Sequence, residues 1–421
     1  MPKILKNHQF LRLWGNQVLL QVAFNMCNFS ALLILADRTH SPFIQAQFYT
    51  ALILPAILFG LIAGPIVDMT NRKQLILLTD FLLALLFFSY IFMDGKIWLA
   101  FLIAFLTSSV ARFFTPAEAA SIPLIVEKET LNHANTFFLF TLMGSVLLGY
   151  AIAGPVMQLF GGLGTDGEYA PFILGSIILA IGFILMWGMP HIETVKPKLS
   201  EGSVVGKTFI LFWQTIQEVK TNKRVSLPIA ILVFIELMVG LMSIMLLEYI
   251  RRYVQLPLTS ISYVLMGPLV FGLIIGILLL VKVEKLYGAR RSIFRGIVGT
   301  GALLFVMGIT PIIVDKFGFD ISFVRFMLIG ASFVMGILVV LVAVQSRTIL
   351  QTSSRQEMHG RIFSFLDIMI AFVTPIPVLI MGFLADKVSL LATLMSIGFV
   401  IMLLTYLGYV FIYKRDNGYK S

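Results

Sequence analysis

Apolar runs about 20 residues long alternate with short polar punctuation along nearly the whole chain. At 1.5 Å per residue, a helix needs about 20 such residues to cross roughly 30 Å of hydrocarbon. Twelve stretches qualify, near 11–35, 44–67, 74–93, 97–123, 134–160, 170–190, 225–248, 258–281, 293–314, 320–344, 361–384 and 389–413. A polar segment, 191–224, separates the sixth from the seventh. The pattern predicts an all-α integral membrane protein of twelve transmembrane helices, with an N-terminal six-helix half over 1–190 and a C-terminal half over 225–421. In the linker, Phe209, Phe212, Trp213, Ile216 and Val219 recur at helical spacing among Lys207, Gln214, Gln217 and Glu218, as expected of an amphipathic helix lying on the inner membrane surface and tethering the halves.

Composition agrees: 59% of residues are hydrophobic and the mean hydropathy is +0.96, far above what a soluble core requires. The first span is too long and too rich in amides for a signal peptide. The net charge of +10 is unevenly placed, with about 23 of the 31 lysines and arginines in loops on the side of the termini, which puts both termini in the cytoplasm. Arg251 and Arg252 fall in an outer loop against that trend. No basic surface is interleaved with stacking aromatics, so no nucleic-acid partner is expected.

The chemistry of a soluble enzyme is missing from the pattern. The five histidines and the single Cys27 show no metal-ligand spacing, and no phosphate-cradling loop is present. No cofactor is therefore expected, and secondary transport of a small molecule remains. A polytopic membrane enzyme, the alternative from another class, would need clustered Asp, Glu or His at one membrane face.

Polar residues inside the bilayer are the candidates for function, because an unpaired charge there costs at least about 2.5–3.5 kcal/mol. Gln17, Gln21, Asn25 and Asn28, with Asn16 beside them, form a row on one face of the first span. That row either bonds to neighbouring helices or lines a substrate cavity. Glu236 lies near the middle of the seventh span with no basic residue near it in sequence. Such a carboxylate can load and release protons, or stay protonated as a hydrogen-bond donor. Asp80 and Asp367, within two turns of the inner surface, are either solvated or part of a network there. Arg325, near the outer surface, is expected to snorkel.

The loop after the second span reads Gly64-Pro65-Ile66-Val67-Asp68-Met69-Thr70-Asn71-Arg72-Lys73. Its glycine is expected to let two helices approach closely. After the eighth span, Glu284 followed by Arg290 and Arg291 echoes that loop, and Gly154-Pro155-Val156 is echoed by Ile376-Pro377-Val378, so the halves read as weak repeats.

The pattern G-x-x-x-D-x-x-x-R-K between the second and third spans resembles the signature loop of the major facilitator superfamily. Phe114-Thr115-Pro116-Ala117, Ile122-Pro123-Leu124-Ile125, Leu131-Asn132-His133-Ala134-Asn135 and Gly360-Arg361-Ile362-Phe363 resemble its drug:proton antiporter branch, which contains macrolide exporters and the enterobactin exporter. Gly144, Gly149 and Gly154-Pro155 are similar to the antiporter motif, with Gly149 one residue too far from Gly154. The resemblance implies the major facilitator fold and a monomer in the bacterial inner membrane. It also implies export of an amphipathic small molecule, such as a drug, macrolide or siderophore, in exchange for protons. A lysophospholipid flippase of the same fold is the alternative. It further implies a gate in which Arg72 pairs with Glu118 and Asp68 caps the eleventh span, with Gly64, Lys73, Glu284, Arg290 and Arg291 in the two loops. Arg112 resembles the fourth-span arginine of proton-coupled members.

Overall fold

A computed structural model of the chain describes residues 3–60, 62–190, 204–354 and 358–417. Among the described residues the secondary structure is all helical. Among the described residues, eleven helices are long and apolar enough to cross a membrane. In the remaining span, the helix Leu131–Leu159, the apolar stretch is Gly144–Leu159. The twelve spans expected from the hydropathy pattern are accounted for.

Spans 1, 3, 4, 5 and 6 are His8–Thr39, Arg72–Ser89, Ile97–Ile125, Leu131–Leu159 and Ala170–Trp187. Span 2 is not one helix but three, Pro42–Ile53, Pro55–Phe59 and Ala63–Met69. The first break falls at Leu54, where Pro55 lacks the N–H that would continue the ladder. Span 11 is divided in the same way into His359–Val373 and Pro375–Lys387, with Thr374 at the break. Spans 7, 8, 9, 10 and 12 are Lys223–Tyr249, Met266–Tyr287, Ala289–Phe317, Ile321–Val339 and Leu390–Asn417. Spans 7 and 10 each run on into a π-helical turn, Ile250–Val254 and Val340–Val344. In the linker, Val204–Thr221 is helical; residues 191–203 and the side chains of Lys207, Phe209 and Phe212 lie outside the described residues.

The chain divides into two compact units that do not follow the linker cleanly. Unit 1 holds residues 1–39, 47–216 and 361–375, and unit 2 holds 40–46, 217–360 and 376–421. In unit 1, span 1 packs against spans 5 and 6, and span 3 against spans 4 and 6. In unit 2, span 8 packs against span 10 and span 9 against spans 10 and 12. The segment 40–46 also packs in unit 2: Ser41 donates to Asp386 at 3.0 Å, and Phe43 meets Phe383 edge to face.

Helix ends are closed by side chains. Asn7 accepts from the Gln9 and Phe10 amides at the start of span 1 and donates at 2.6 Å to the Ile125 carbonyl at the end of span 4. Asp320 accepts from the Ser322 amide at the start of span 10, which holds its carboxyl below the usual range. Arg325, expected to snorkel, donates to the Val254 and Gln255 carbonyls, which the π turn and the left-handed Gln255 leave without helical partners. Arg251 and Arg252 both pair with Glu248, which explains why they are tolerated on their side of the membrane.

Spans 8 and 10 in unit 2 cross glycine on glycine. A Cβ at Gly272 of span 8 would overlap the Phe333 carbonyl oxygen of span 10, and one at Gly336 would overlap the Leu269 carbonyl oxygen. A Cβ at Gly330, also in span 10, would meet nothing within 4 Å. In an ordinary helix Gly→Ala is mildly favourable. We therefore expect Gly272→Ala and Gly336→Ala each to cost about 1–3 kcal/mol through overpacking, and Gly330→Ala to be neutral or stabilising, as read by thermal melting of the purified protein in detergent. Equal melting temperatures for all three would contradict this crossing.

Candidate functional site

The signature loop is a tight link between two helices. Asp68 belongs to the last turn of Ala63–Met69, Thr70 turns extended, and Asn71 caps span 3 by accepting from the Gln74 amide at 3.2 Å. Arg72 is thus the first helical residue of span 3, and it donates to the Ala120 carbonyl of span 4 at 2.9 Å. This departs from the expected Arg72–Glu118 partnership: Arg72 reaches the span 4 backbone two residues beyond Glu118, while the charge that acts on Glu118 is that of Asp80. Lys73 donates to the Trp187 and Met189 carbonyls, and Arg12 to that of Gly188, so two cations close the end of span 6. The side chain of Asp68 lies outside the described residues. A Cβ at Gly64 would meet nothing within 4 Å, so the close approach expected there is absent. The end of this helical segment is not pressed against a neighbour at that point.

Span 1 carries its polar row into a closely packed interface. Gln17 is buried and donates to the Phe138 carbonyl of span 5 at 3.3 Å. A Cβ at Gly149 of span 5 would stand 2.6 Å from Asn25 Cβ and 2.8 Å from the Met26 amide, so glycine is needed for the two helices to meet at Asn25. Asn25 and Asn28 turn their amides back to the Gln21 and Phe24 carbonyls at 2.7 and 3.0 Å. Gln21 and Asn25 are half-buried and Asn28 is buried. Trp14, which the sequence does not single out, donates to Thr141 at 2.7 Å and stacks on Phe10.

Asp80 is fully buried, not solvated. It faces Asn16 on span 1 and Glu118 on span 4, both also buried. The sequence gives little sign of this grouping, since it depends on three helices meeting at one depth. Arg112 is half-buried, and the carboxylate that acts on it electrostatically is Asp367 of span 11. At the other end of unit 1, Arg38 bridges the buried Glu168 and the exposed Asp94, at 3.3 Å from the latter.

In unit 2, Glu236 is half-buried and has an interaction of its own, so it is not the isolated carboxylate that its sequence neighbours imply. Phe234, Leu237, Met238 and Leu241 line an apolar cavity of about 450 Å³ with residues of spans 9, 11 and 12, among them Phe294 and Met381. Glu236 stands about 200° around the helix from Phe234, on the opposite side of span 7 from that cavity. Glu284, Arg290 and Arg291 are exposed at the junction of spans 8 and 9, where Gly288 takes a positive φ of 75°. There Arg295 lies over the Tyr287 ring at 3.8 Å.

A model of the Major Facilitator Superfamily matches residues 13–372. The chain is 22% identical over 398 residues to macrolide efflux protein A of Streptococcus pyogenes, covering 90% of each. It is 23% identical to the multidrug efflux pump Tap of Mycolicibacterium fortuitum, covering 83% of each. Among solved structures, the POT family transporter PepTSo superposes with a TM-score of 0.71 at 11% identity over 99% of each chain, and the nucleoside transporter NupG with 0.67 at 14% over 94% of this chain and 98% of that one.

The Arg112–Asp367 pair is testable without transport. Asp367→Asn should leave the guanidinium without its counter-charge and lower the melting temperature. The double variant Arg112→Gln/Asp367→Asn should recover part of the loss, with a coupling of about 0.2–1 kcal/mol in a double-mutant cycle, because Asp367 is exposed. Strictly additive losses would show that the two side chains act independently.

Proposed function

Because the chain belongs to the Major Facilitator Superfamily, whose members move small molecules across membranes, we propose that it exports an amphipathic small molecule, macrolide-like or siderophore-like, in exchange for protons. The reading has the chain act as a monomer in a bacterial inner membrane with both termini in the cytoplasm, as a transporter and not an enzyme. The observation that carries export is the match to macrolide and multidrug efflux proteins along most of their length. Support for proton coupling comes from Glu236 and Arg112, ionisable groups half-buried within spans. In alternating access, Glu236 would be neutralised while exposed to one side and recharged on the other. Gln21 and Asn25, the half-buried members of the span 1 row, are the polar groups offered to substrate.

A lysophospholipid flippase is the second reading, and the apolar cavity beside span 7 favours it. Purified protein in liposomes separates the two: a macrolide antibiotic moved uphill by a pH gradient supports the first, whereas translocated lysophospholipid with no drug movement supports the second.

Two variants test the parts. In Glu236→Gln the shape is kept and titration removed, so substrate binding and substrate-substrate exchange should persist while uphill pumping driven by a pH gradient is lost. Wild-type pumping would move the coupling elsewhere. Asp68→Asn or Arg72→Ala should reach the membrane at normal levels, yet transport should fall by about 5–150-fold if the gate is coupled to the substrate site by about 1–3 kcal/mol. Undiminished transport by both would remove the gating role.

A further inference from the structure

Asn16, Asp80 and Glu118 meet inside unit 1 at one depth. At 1.5 Å per residue, Asp80 lies about 12 Å beyond Arg72, Glu118 about 10 Å short of Ile125, and Asn16 about 12 Å beyond His8, all counted from helix ends on one side of the bundle. The three residues are 0%, 0% and 2% exposed for Asn16, Asp80 and Glu118. The Asn16 amide is turned to Asp80, and the Asp80 charge is felt at Glu118. Even so, both oxygens of Asp80, both heteroatoms of Asn16 and Oε1 of Glu118 are buried without completing a hydrogen bond.

The basic groups on the surrounding helices are directed to other acceptors. Arg12 of span 1 and Lys73 of span 3 go to the carbonyls at the end of span 6, Arg72 donates to the Ala120 carbonyl, and the carboxylate that acts on Arg112 of span 4 is Asp367. Span 6, packed on spans 1 and 3, carries no titratable side chain, and its Gly182 leaves room for the Asn16 amide. His133, at the start of span 5, is exposed. Two buried carboxylates that act on each other electrostatically repel, so keeping both ionised is costly. A cation must therefore accompany them.

We propose that Asp80 and Glu118, oriented by Asn16, form a binding site for one exchangeable proton, separate from Glu236. A metal ion fits less well. Hard cations take about six or more oxygen ligands, whereas spans 1 and 3 run as continuous helix through these residues with their carbonyls in the ladder, and in span 4 only the carbonyls of Arg112 and Ala119, opposite Pro116 and Pro123, lack a ladder donor. The side chains themselves supply five oxygens, from two carboxylates and one amide. A shared proton needs only one donor and one acceptor, and the Asn16 amide can donate to whichever carboxylate is ionised. The site concerns a proton held by the folded chain and stands whether or not transport is proton-driven.

The test is infrared spectroscopy of the full-length protein in lipid nanodiscs across pH, following the band of protonated carboxyl groups in sodium-free buffer. The double variant Asp80→Asn/Glu118→Gln, neutral and of the same shape, should lose one carboxyl's worth of that band at neutral pH relative to wild type. Should the double variant not accumulate, Glu118→Gln alone carries the test, because removing one member of a pair that shares a proton must change the band's intensity or its pH midpoint. An unchanged band overturns the proposal. So does a rise in melting temperature on replacing choline chloride by sodium chloride that is present in wild type and absent in the variant, since it would assign the site to sodium. The measurement involves no transport, so its failure leaves the export reading standing, and loss of the export reading leaves this site standing.

Discussion

A polar group inside the hydrocarbon layer has no water to fall back on, and this constraint explains more of the structure than any single contact. Each polar feature described above answers it in one of a few ways. Thr79, Thr107, Ser121, Thr141 and Ser332 return their hydroxyls to carbonyls of their own helices. Asn7, Arg12, Lys73 and Arg325 carry their donors to carbonyls at helix ends, where the ladder has run out. Glu168 and Glu248, both buried, are held by arginines. The group of Asn16, Asp80 and Glu118 fits none of these solutions, and unlike Gln45 and Gln345, whose buried amide atoms share that condition, it holds two carboxylates.

The two units meet the constraint differently although their loops echo each other. In unit 1, span 1 lies close against spans 5 and 6 and carries its amides into those contacts. In unit 2, span 7 makes few contacts with span 12, and the space between them is the apolar cavity. Both π-helical turns also fall in unit 2, following spans 7 and 10. π turns cost regular hydrogen bonding and recur at functional positions. Irregular backbone thus occurs in both units, as the break of span 2 at Leu54 and as the two π-helical turns, whereas the buried carboxylate pair belongs to unit 1.

Much of this was legible in the sequence because hydropathy and helical length are local properties. The spans, their number and the tight link before Arg72 follow from runs of residues read in order. The breaks at Leu54 and Thr374 were missed, since an apolar run conceals a missing N–H, although Pro55 and Pro375 mark both places. Glu248 stands three and four residues before Arg251 and Arg252, so that network could have been read from helical spacing alone. Asp80 could not. Its surroundings are supplied by residues 64 positions before it and 38 after it, and only the folded helices bring them together. The same holds for Arg38 and Glu168, separated by 130 residues.

The interleaving of the units bears on how the chain is made. Unit 1 includes residues 361–375, which leave the ribosome only after the 144 residues from 217 to 360. At about 5–20 residues per second that is a delay of roughly 7–30 s. Through that interval the first six spans sit in the bilayer with a piece of their own unit still unmade. The N-terminal unit therefore cannot complete its own contacts until this late segment has been made, so its final packing follows synthesis of most of unit 2.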